Sequence, residues 1–287
     1  MAPVAAPARR SARRLSAANA GLMVCYALLA VVTLASLVPL LVMLLDSFKT
    51  NSDVVTSPTG LPVAPTFGGY RELVALGQMR NFVNSILIAG LTTIGVVFVC
   101  AMAAYGFAKL RFPGRNLLFF GLIATVMVPP QTAMPGFYAQ FTALGWLNTY
   151  HIQIVPFLAP VLGLFMLRQY LLRFPDSILE AARLDGASEI TIFLRVVLPL
   201  MKPGLGALAV LQFLNSWSNY LWPSVMASDH SVAPFSVSLT TLTDPNYGLV
   251  PLYGPIMAGC VLATIPLILV FLRFQRTFMS GISYEAS

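Results

Sequence analysis

Five stretches of this chain contain no Asp, Glu, Lys or Arg: Leu15 to Leu45, Asn81 to Ala108, Asn116 to Leu167, Pro203 to Ser228 and Pro245 to Leu272. Roughly 20 apolar residues in helical form cross the hydrocarbon core of a bilayer, where every backbone polar group must be satisfied within the protein. Runs of this length have no counterpart in a soluble domain. The composition agrees, with 57% hydrophobic and 9% charged residues and a mean hydropathy of +0.80, against about 25% charged in soluble domains. The third stretch is long enough for two spans. Pro135-Gly136, Gly145 and Asn148 mark a break between Gly136 and Tyr150. The expected fold is therefore all-α and polytopic, with six transmembrane helices and both termini on one side.

The basic residues indicate which side. With the N-terminus inside, the inner segments hold Arg9, Arg10, Arg13, Arg14, Lys109, Arg111, Arg115, Arg168, Arg173, Arg183, Arg195, Lys202, Arg273 and Arg276, which is 14 of the 17. Only Lys49, Arg71 and Arg80 fall outside, an asymmetry that matches the positive-inside rule. The expected location is the cell membrane with cytoplasmic termini, and the basic pI reflects topology rather than a nucleic-acid partner. Residues 1–19, rich in Ala, Arg and Pro, read as a disordered cytoplasmic tail. The uncharged run after Arg14 exceeds the core of a cleaved signal, so a retained first helix is expected. Membrane segments occupy 20–279, and 280–287 forms a second cytoplasmic tail.

Catalytic chemistry has little to stand on. His151 and His230, the only histidines, fall in outward loops without Cys or carboxylate at ligand spacing, so no metal site is expected. Cys25, Cys100 and Cys260 lie in separate spans and read as apolar fillers. No Gly-Lys dipeptide occurs, which excludes a Walker-type phosphate loop on this chain. The spans also lack the ionisable residues that ion-driven carriers place near the midplane. An energy source must come from another subunit.

Arg168 to Lys202 is the charged, hydrated island of the second half. Ser177 and Glu180 stand at the spacing of a capping box, opening a short helix after Pro175. Gly186 suits a turn at positive φ, and a second short helix is expected from Ser188 to Val197, before Pro199. Ile178, Ala181, Ala182 and Leu184 are expected to form one apolar face. On the fifth span, Gln212, Asn215 and Asn219 recur at helical spacing beside Tyr220. Such a stripe serves either interhelical hydrogen bonds, worth about 0.6 kcal/mol each on average, or a watery path.

Glu180-Ala181-Ala182, Asp185-Gly186-Ala187, Phe193, Leu198-Pro199 and Pro203 resemble the cytoplasmic EAA loop of permease subunits in binding-protein-dependent ABC importers. The runs Ala104-Tyr105-Gly106-Phe107-Ala108-Lys109-Leu110-Arg111-Phe112-Pro113-Gly114-Arg115, Leu167-Arg168-Gln169-Tyr170 and Trp217-Ser218-Asn219-Tyr220-Leu221-Trp222-Pro223 are similar to the carbohydrate branch, the maltose-type second permease. Here Ser218 separates the Trp and Asn that adjoin in that branch, and the ending from Ser280 departs from its pattern. The resemblance implies half of a sugar-import pathway with the type I fold, and a coupling loop at about 175–203 that docks on an ATPase through Glu180, Ala181, Ala182, Asp185, Gly186, Ala187, Leu198 and Pro199. It implies a second permease, two ATPase subunits that bind ATP and Mg²⁺, and an external solute-binding protein. This chain itself is expected to hold no cofactor. Gln212, Asn215, Asn219 and Tyr220 would line the sugar path; Asp229, His230, Asp244 and Tyr247, in an external loop from Ala227 to Pro251, would touch the binding protein. A membrane anchor for an ATPase and a secondary carrier are the alternative readings.

Overall fold

The computed structural model describes residues 9–243 and 251–283, with side chains for 21–243 and 251–275. Those residues form helices and connecting turns, with no strand among them. The chain divides into two compact units, Met1–Tyr70 with Tyr253–Val261 and Arg71–Leu252 with Leu262–Ser287.

In the first unit, helix α1 (Arg9–Asp46) begins inside the stretch read as a disordered tail. Its first turns are rich in Ala and Arg, strong helix formers that extend the span outward. From Gly21 to Asp46 it is apolar enough to cross a membrane, with a mean hydropathy of 2.8. The Thr50 side chain accepts a hydrogen bond from the Asp53 N–H and so caps α2 (Asn51–Thr56). Between these helices Lys49 Nζ lies 2.6 Å from Asp46 Oδ1, both side chains almost wholly buried, and donates to the Ser57 carbonyl at 2.8 Å. Phe48, Phe67 and Tyr70 pack their rings together nearby. The sequence treated Lys49 as one of three outer basic residues; the structure gives it a buried carboxylate.

Helix α3 (Gly68–Ala75) leads into the second unit, whose axis is α4 (Gln78–Lys109), 32 residues long. At 1.5 Å per residue that is about 48 Å, longer than the roughly 30 Å hydrocarbon core. The third charge-free stretch is broken in its first half. It yields α5 (Arg115–Thr125), only 11 residues, then turns through Pro129-Pro130 to α6 (Met134–Ala143). The break expected between Gly136 and Tyr150 falls at 144–149, where Gly145 and Asn148 take positive φ, and a further break comes at Pro129-Pro130, because paired prolines cannot continue a helix. Helix α7 (Tyr150–Ile154), which contains His151, a 3₁₀ turn at Val155–Phe157 and α8 (Val161–Leu172) make a 23-residue span. His151 therefore sits on a span rather than in a loop.

Short helices α9 (Ser177–Leu184), α10 (Glu189–Ile192) and α11 (Leu198–Leu200) follow, with a π-helical turn at Phe193–Val197. The wider spacing of that turn shifts the register just ahead of Pro199, so the helix runs on to Leu200 instead of stopping before the proline. A 76° bend separates it from α12 (Lys202–Trp217). Helices α13 (Leu221–Met226) and α14 (Phe235–Thr241) precede α15 (Tyr253–Ser283). Among the described residues four helices are thus long and apolar enough to span, or five if the bent pair counts as one. The remaining span of the six expected from sequence corresponds to the broken run of α5 and α6, each too short to cross alone.

The core of the second unit runs along α4, α8 and α12. Cys100, Ala101, Ala104, Leu164, Leu167 and Leu208 are all buried there. Gly163 permits this approach, since a Cβ on it would lie 3.0 Å from Leu208 Cδ1 and 3.3 Å from Cys100 Sγ. Small residues at such crossings let helix backbones close in where no hydrophobic force separates protein from lipid. The same cluster includes Leu179, Ile192, Phe193 and Val197. The hydrated island is therefore packed as one body with the base of the bundle.

Candidate functional site

The island folds into a helical knob. Helix α9 ends in a Schellman turn: Gly186 takes φ +80°, its N–H bonds the Arg183 carbonyl at 3.0 Å, and the Ala187 N–H reaches back to Ala182 at 3.1 Å. This is the conformation expected of Gly186. The capping box is absent, because α9 starts one residue earlier and the Asp176 carbonyl receives the Leu179 and Glu180 N–H groups. Asp176 is fixed from outside the helix instead: Lys109 Nζ sits 2.7 Å from its carboxylate and 2.6 Å from the Phe174 carbonyl. The side-chain cap falls at Ser188, whose Oγ accepts from the Thr191 N–H.

The expected apolar face is also split. Leu179 is buried and Ala182 and Ala187 pack against the core, whereas Ile178, Ala181 and Leu184 face outward, Leu184 at 89% exposure. Glu180, Asp185 and Gly186 share that outer surface with Ile190, Leu198 packs inward and Pro199 is exposed. An eight-residue helix offers two plausible apolar stripes, and the Leu179 stripe meets the bundle. The outward stripe leaves the bulky apolar side chains of Ile178, Leu184 and Ile190 exposed.

Polar ties join the knob to α4. Tyr105 donates to the Glu189 carboxylate, and Arg183 Nε donates to Glu189 Oε1 at 2.7 Å. Arg183 first and Tyr105 second hold Glu189 below the usual carboxylate range, and Lys109 does the same for Asp176. Depressed carboxylates keep these ties intact at neutral pH and release them only as pH falls through the lowered values. The sequence reading missed Tyr105, Lys109 and Glu189, because 84 residues separate Tyr105 from Glu189.

Gln212, Asn215, Asn219 and Tyr220 line one groove of about 650 Å³. The stripe is not a single helical face, since α12 ends at Trp217 and Asn219 lies in the turn that follows. Ser216, Ser218 and Trp222 join them, with Gln131 and Phe157 from the opposite wall. Trp222 is held by its Nε1–H, which donates to the Ile152 carbonyl at 2.9 Å, and by the rings of Phe137, Phe141 and Phe157. Gln131 and Phe157 were not chosen from sequence, although Gln131 stands out after the proline pair. The lining combines amides, hydroxyls and aromatic rings with apolar Met134, Leu221 and three prolines, Pro130, Pro156 and Pro160, and has no charged side chain among the described residues.

The loop from Ala227 is not a free connector over its described length. Asn81 Nδ2 donates to the His230 and Ala233 carbonyls at 2.8 and 2.9 Å, and Asn84 Nδ2 to Ser231 and Ala233, both at 3.1 Å. Ser85 Oγ accepts the Phe235 N–H at 2.8 Å, and Gln153 donates to Val232 at 3.0 Å. Phe235, Leu239 and Leu242 are buried behind this clamp. Asp229 and His230 remain exposed on its outer side. Asp244 and Tyr247 lie outside the described residues.

Residues 4–284 match the family described as the binding-protein-dependent transport system inner membrane component. The chain is 34% identical over 256 residues to the arabinooligosaccharides transport system permease protein AraQ of Bacillus subtilis (strain 168), covering 88% of this chain and 90% of that one. It is 31% identical over 265 residues to the sn-glycerol-3-phosphate transport system permease protein UgpE of Pectobacterium atrosepticum, covering 90% and 94%. A solved structure described as a bacterial ABC transporter involved in the import of the acidic polysaccharide alginate has the same fold. Its TM-score is 0.79 at 24% identity, over 96% of this chain and 99% of that chain.

Proposed function

Since the chain belongs to the family of binding-protein-dependent transport system inner membrane components, we propose that its groove carries an uncharged carbohydrate across the membrane. The chain is a multi-pass permease of an ABC sugar-import system. The observation that supports a neutral cargo is the groove's lining. Amides and hydroxyls exchange hydrogen bonds with sugar hydroxyls, while the faces of Tyr220 and Trp222 cover apolar ring surfaces. A phosphate ester or an acidic polysaccharide would call for cations in the wall, and the groove has none. Among the solutes in the relatives' names, an arabino-oligosaccharide fits this lining best.

The knob and the clamp support the following reading of the remaining assembly. The outward residues Ala181, Leu184, Asp185 and Ile190 dock on one of two ATPase subunits, which bind ATP and Mg²⁺, and this chain holds no cofactor. Closure of the ATPase pair pushes the knob, and the Lys109, Tyr105 and Glu189 ties pass the displacement to α4. A second permease supplies the other half of the path. The clamped 229–235 segment presents Asp229 and His230 to an external binding protein, along with Asp244 and Tyr247 further on. Its rigidity excludes a loop deletion as a test, because removing Ser236 to Thr243 would remove buried core.

Asn215→Leu and Tyr220→Ala test the path. Each is expected to weaken apparent uptake affinity about two- to tenfold, the worth of a hydrogen bond or ring contact, with ATPase association unchanged. Unaltered uptake in the double variant rejects the groove as the route. Orientation is tested in a background with Cys25, Cys100 and Cys260 replaced. A cysteine at Ile190 is expected to be labelled only from the cytoplasm and one at Ser228 only from outside, and reversed labelling rejects the cytoplasmic knob.

A further inference from the structure

The start of α5 has a chemistry that neither the groove nor the knob uses. The turn from α4 opens onto a depression of about 350 Å³ lined by Arg111, Phe112, Gly114, Arg115, Asn116 and Leu117. Two guanidinium groups border it. Lys109 is committed to Asp176, and among the described residues neither arginine forms an ion pair with a carboxylate. Arg115 gives one N–H to the Leu110 carbonyl at 3.0 Å, which steadies the turn and leaves most of its donor fork open. Arg111 is exposed.

The surface that continues from this depression is hydrocarbon. Leu117 is 78% exposed, Leu118 56% and Phe120 66%, and Phe119 is the one buried residue of α5. Leu117 and Phe120 stand three residues apart and so neighbour each other along the helix. A basic depression whose arginines form no ion pair among the described residues, joined to an apolar stripe, matches the two halves of an anionic phospholipid.

We propose that Arg111 and Arg115 bind the phosphate of an anionic phospholipid whose acyl chain lies along Leu117 and Phe120. Guanidinium forks take phosphate oxygens in bidentate geometry, which a phosphodiester offers. Soluble phosphate would satisfy the arginines and leave the stripe without a partner, so the lipid is the occupant that uses both halves. The site does not depend on which leaflet the turn faces, nor on the cargo of the groove.

The test uses the whole importer in nanodiscs of phosphatidylcholine with a minor fraction of phosphatidylglycerol, followed by native mass spectrometry of the retained lipids. The unaltered complex is expected to retain phosphatidylglycerol in preference to phosphatidylcholine. Arg111→Gln should reduce that preference about fivefold and the double change with Arg115→Gln about thirtyfold. Arg111→Lys, which keeps the charge, should retain most of it, and excess inorganic phosphate should not displace the lipid. Among the described residues Arg111 forms no hydrogen bond or ion pair, so its single variant reads binding without disturbing the turn. Equal retention in Arg111→Gln, or displacement of the lipid by inorganic phosphate, overturns the proposal.

Discussion

Leu184→Asp is expected to release the ATPase from the permease while leaving the permease itself intact. Leu184 is 89% exposed at the tip of the knob and lies outside the buried core, so its loss should barely change folding stability. A bulky apolar anchor at the centre of an interface typically contributes about 2 kcal/mol or more to binding, which corresponds to about thirtyfold in affinity. The introduced carboxylate adds a desolvation penalty in the same direction. Copurification of the ATPase with tagged permease measures the first effect and thermal unfolding of the permease alone measures the second. Ala182→Trp should behave in the opposite way. Ala182 packs against the core, so the larger side chain should damage the knob before it reaches any partner. Full copurification with Leu184→Asp would remove the outward stripe as the docking surface.

The largest stability effect is expected from Lys49→Met. The Lys49 and Asp46 side chains are 1% and 5% exposed and 2.6 Å apart. Removing the ammonium strands a buried carboxylate, and breaking such a pair from one side costs about 3 to 5 kcal/mol. The double variant Asp46→Asn/Lys49→Met should recover much of that loss, because no isolated charge remains. Thermal or denaturant unfolding of the purified chain in detergent reads both. A single variant as stable as the unaltered chain would show that the pair is solvated and structurally idle.

Most of the helical architecture was legible because lipid penalises charge so heavily that spans announce themselves as gaps in the charge pattern. The third span is interrupted at Pro129-Pro130, which the charge pattern did not indicate. Hydropathy averages over a window and does not register that two residues without N–H groups end a helix. The knob was legible as a motif and misread as a surface. Ile178, Ala181 and Leu184 form one stripe and Leu179 and Ala182 another, and only the position of the bundle decides which is buried. Asn81, Asn84 and Ser85 recur at helical spacing at the start of α4, a polar stripe that was available in the sequence. Its partners are backbone carbonyls and the Phe235 N–H, about 150 residues away, which carry no side-chain signature. Asp46 and Lys49 were likewise visible as a pair three residues apart, but nothing in the sequence indicates that both are buried. The groove residues were found because amides within an apolar run are conspicuous, although Asn219 reaches the groove from a turn rather than from the helix.

ATP-driven import is tested most directly by solute accumulation in vesicles. The complete complex is reconstituted with ATP and Mg²⁺ sealed on the side of the knob, and a labelled neutral oligosaccharide with its binding protein is supplied on the other. Accumulation is expected to require the enclosed ATP, to survive ionophores that collapse proton and sodium gradients, and to disappear with Leu184→Asp. Accumulation that proceeds without ATP and follows an ion gradient, or ATP hydrolysis with no accumulation of any solute, would contradict the assignment of this chain as half of an ATP-driven import path.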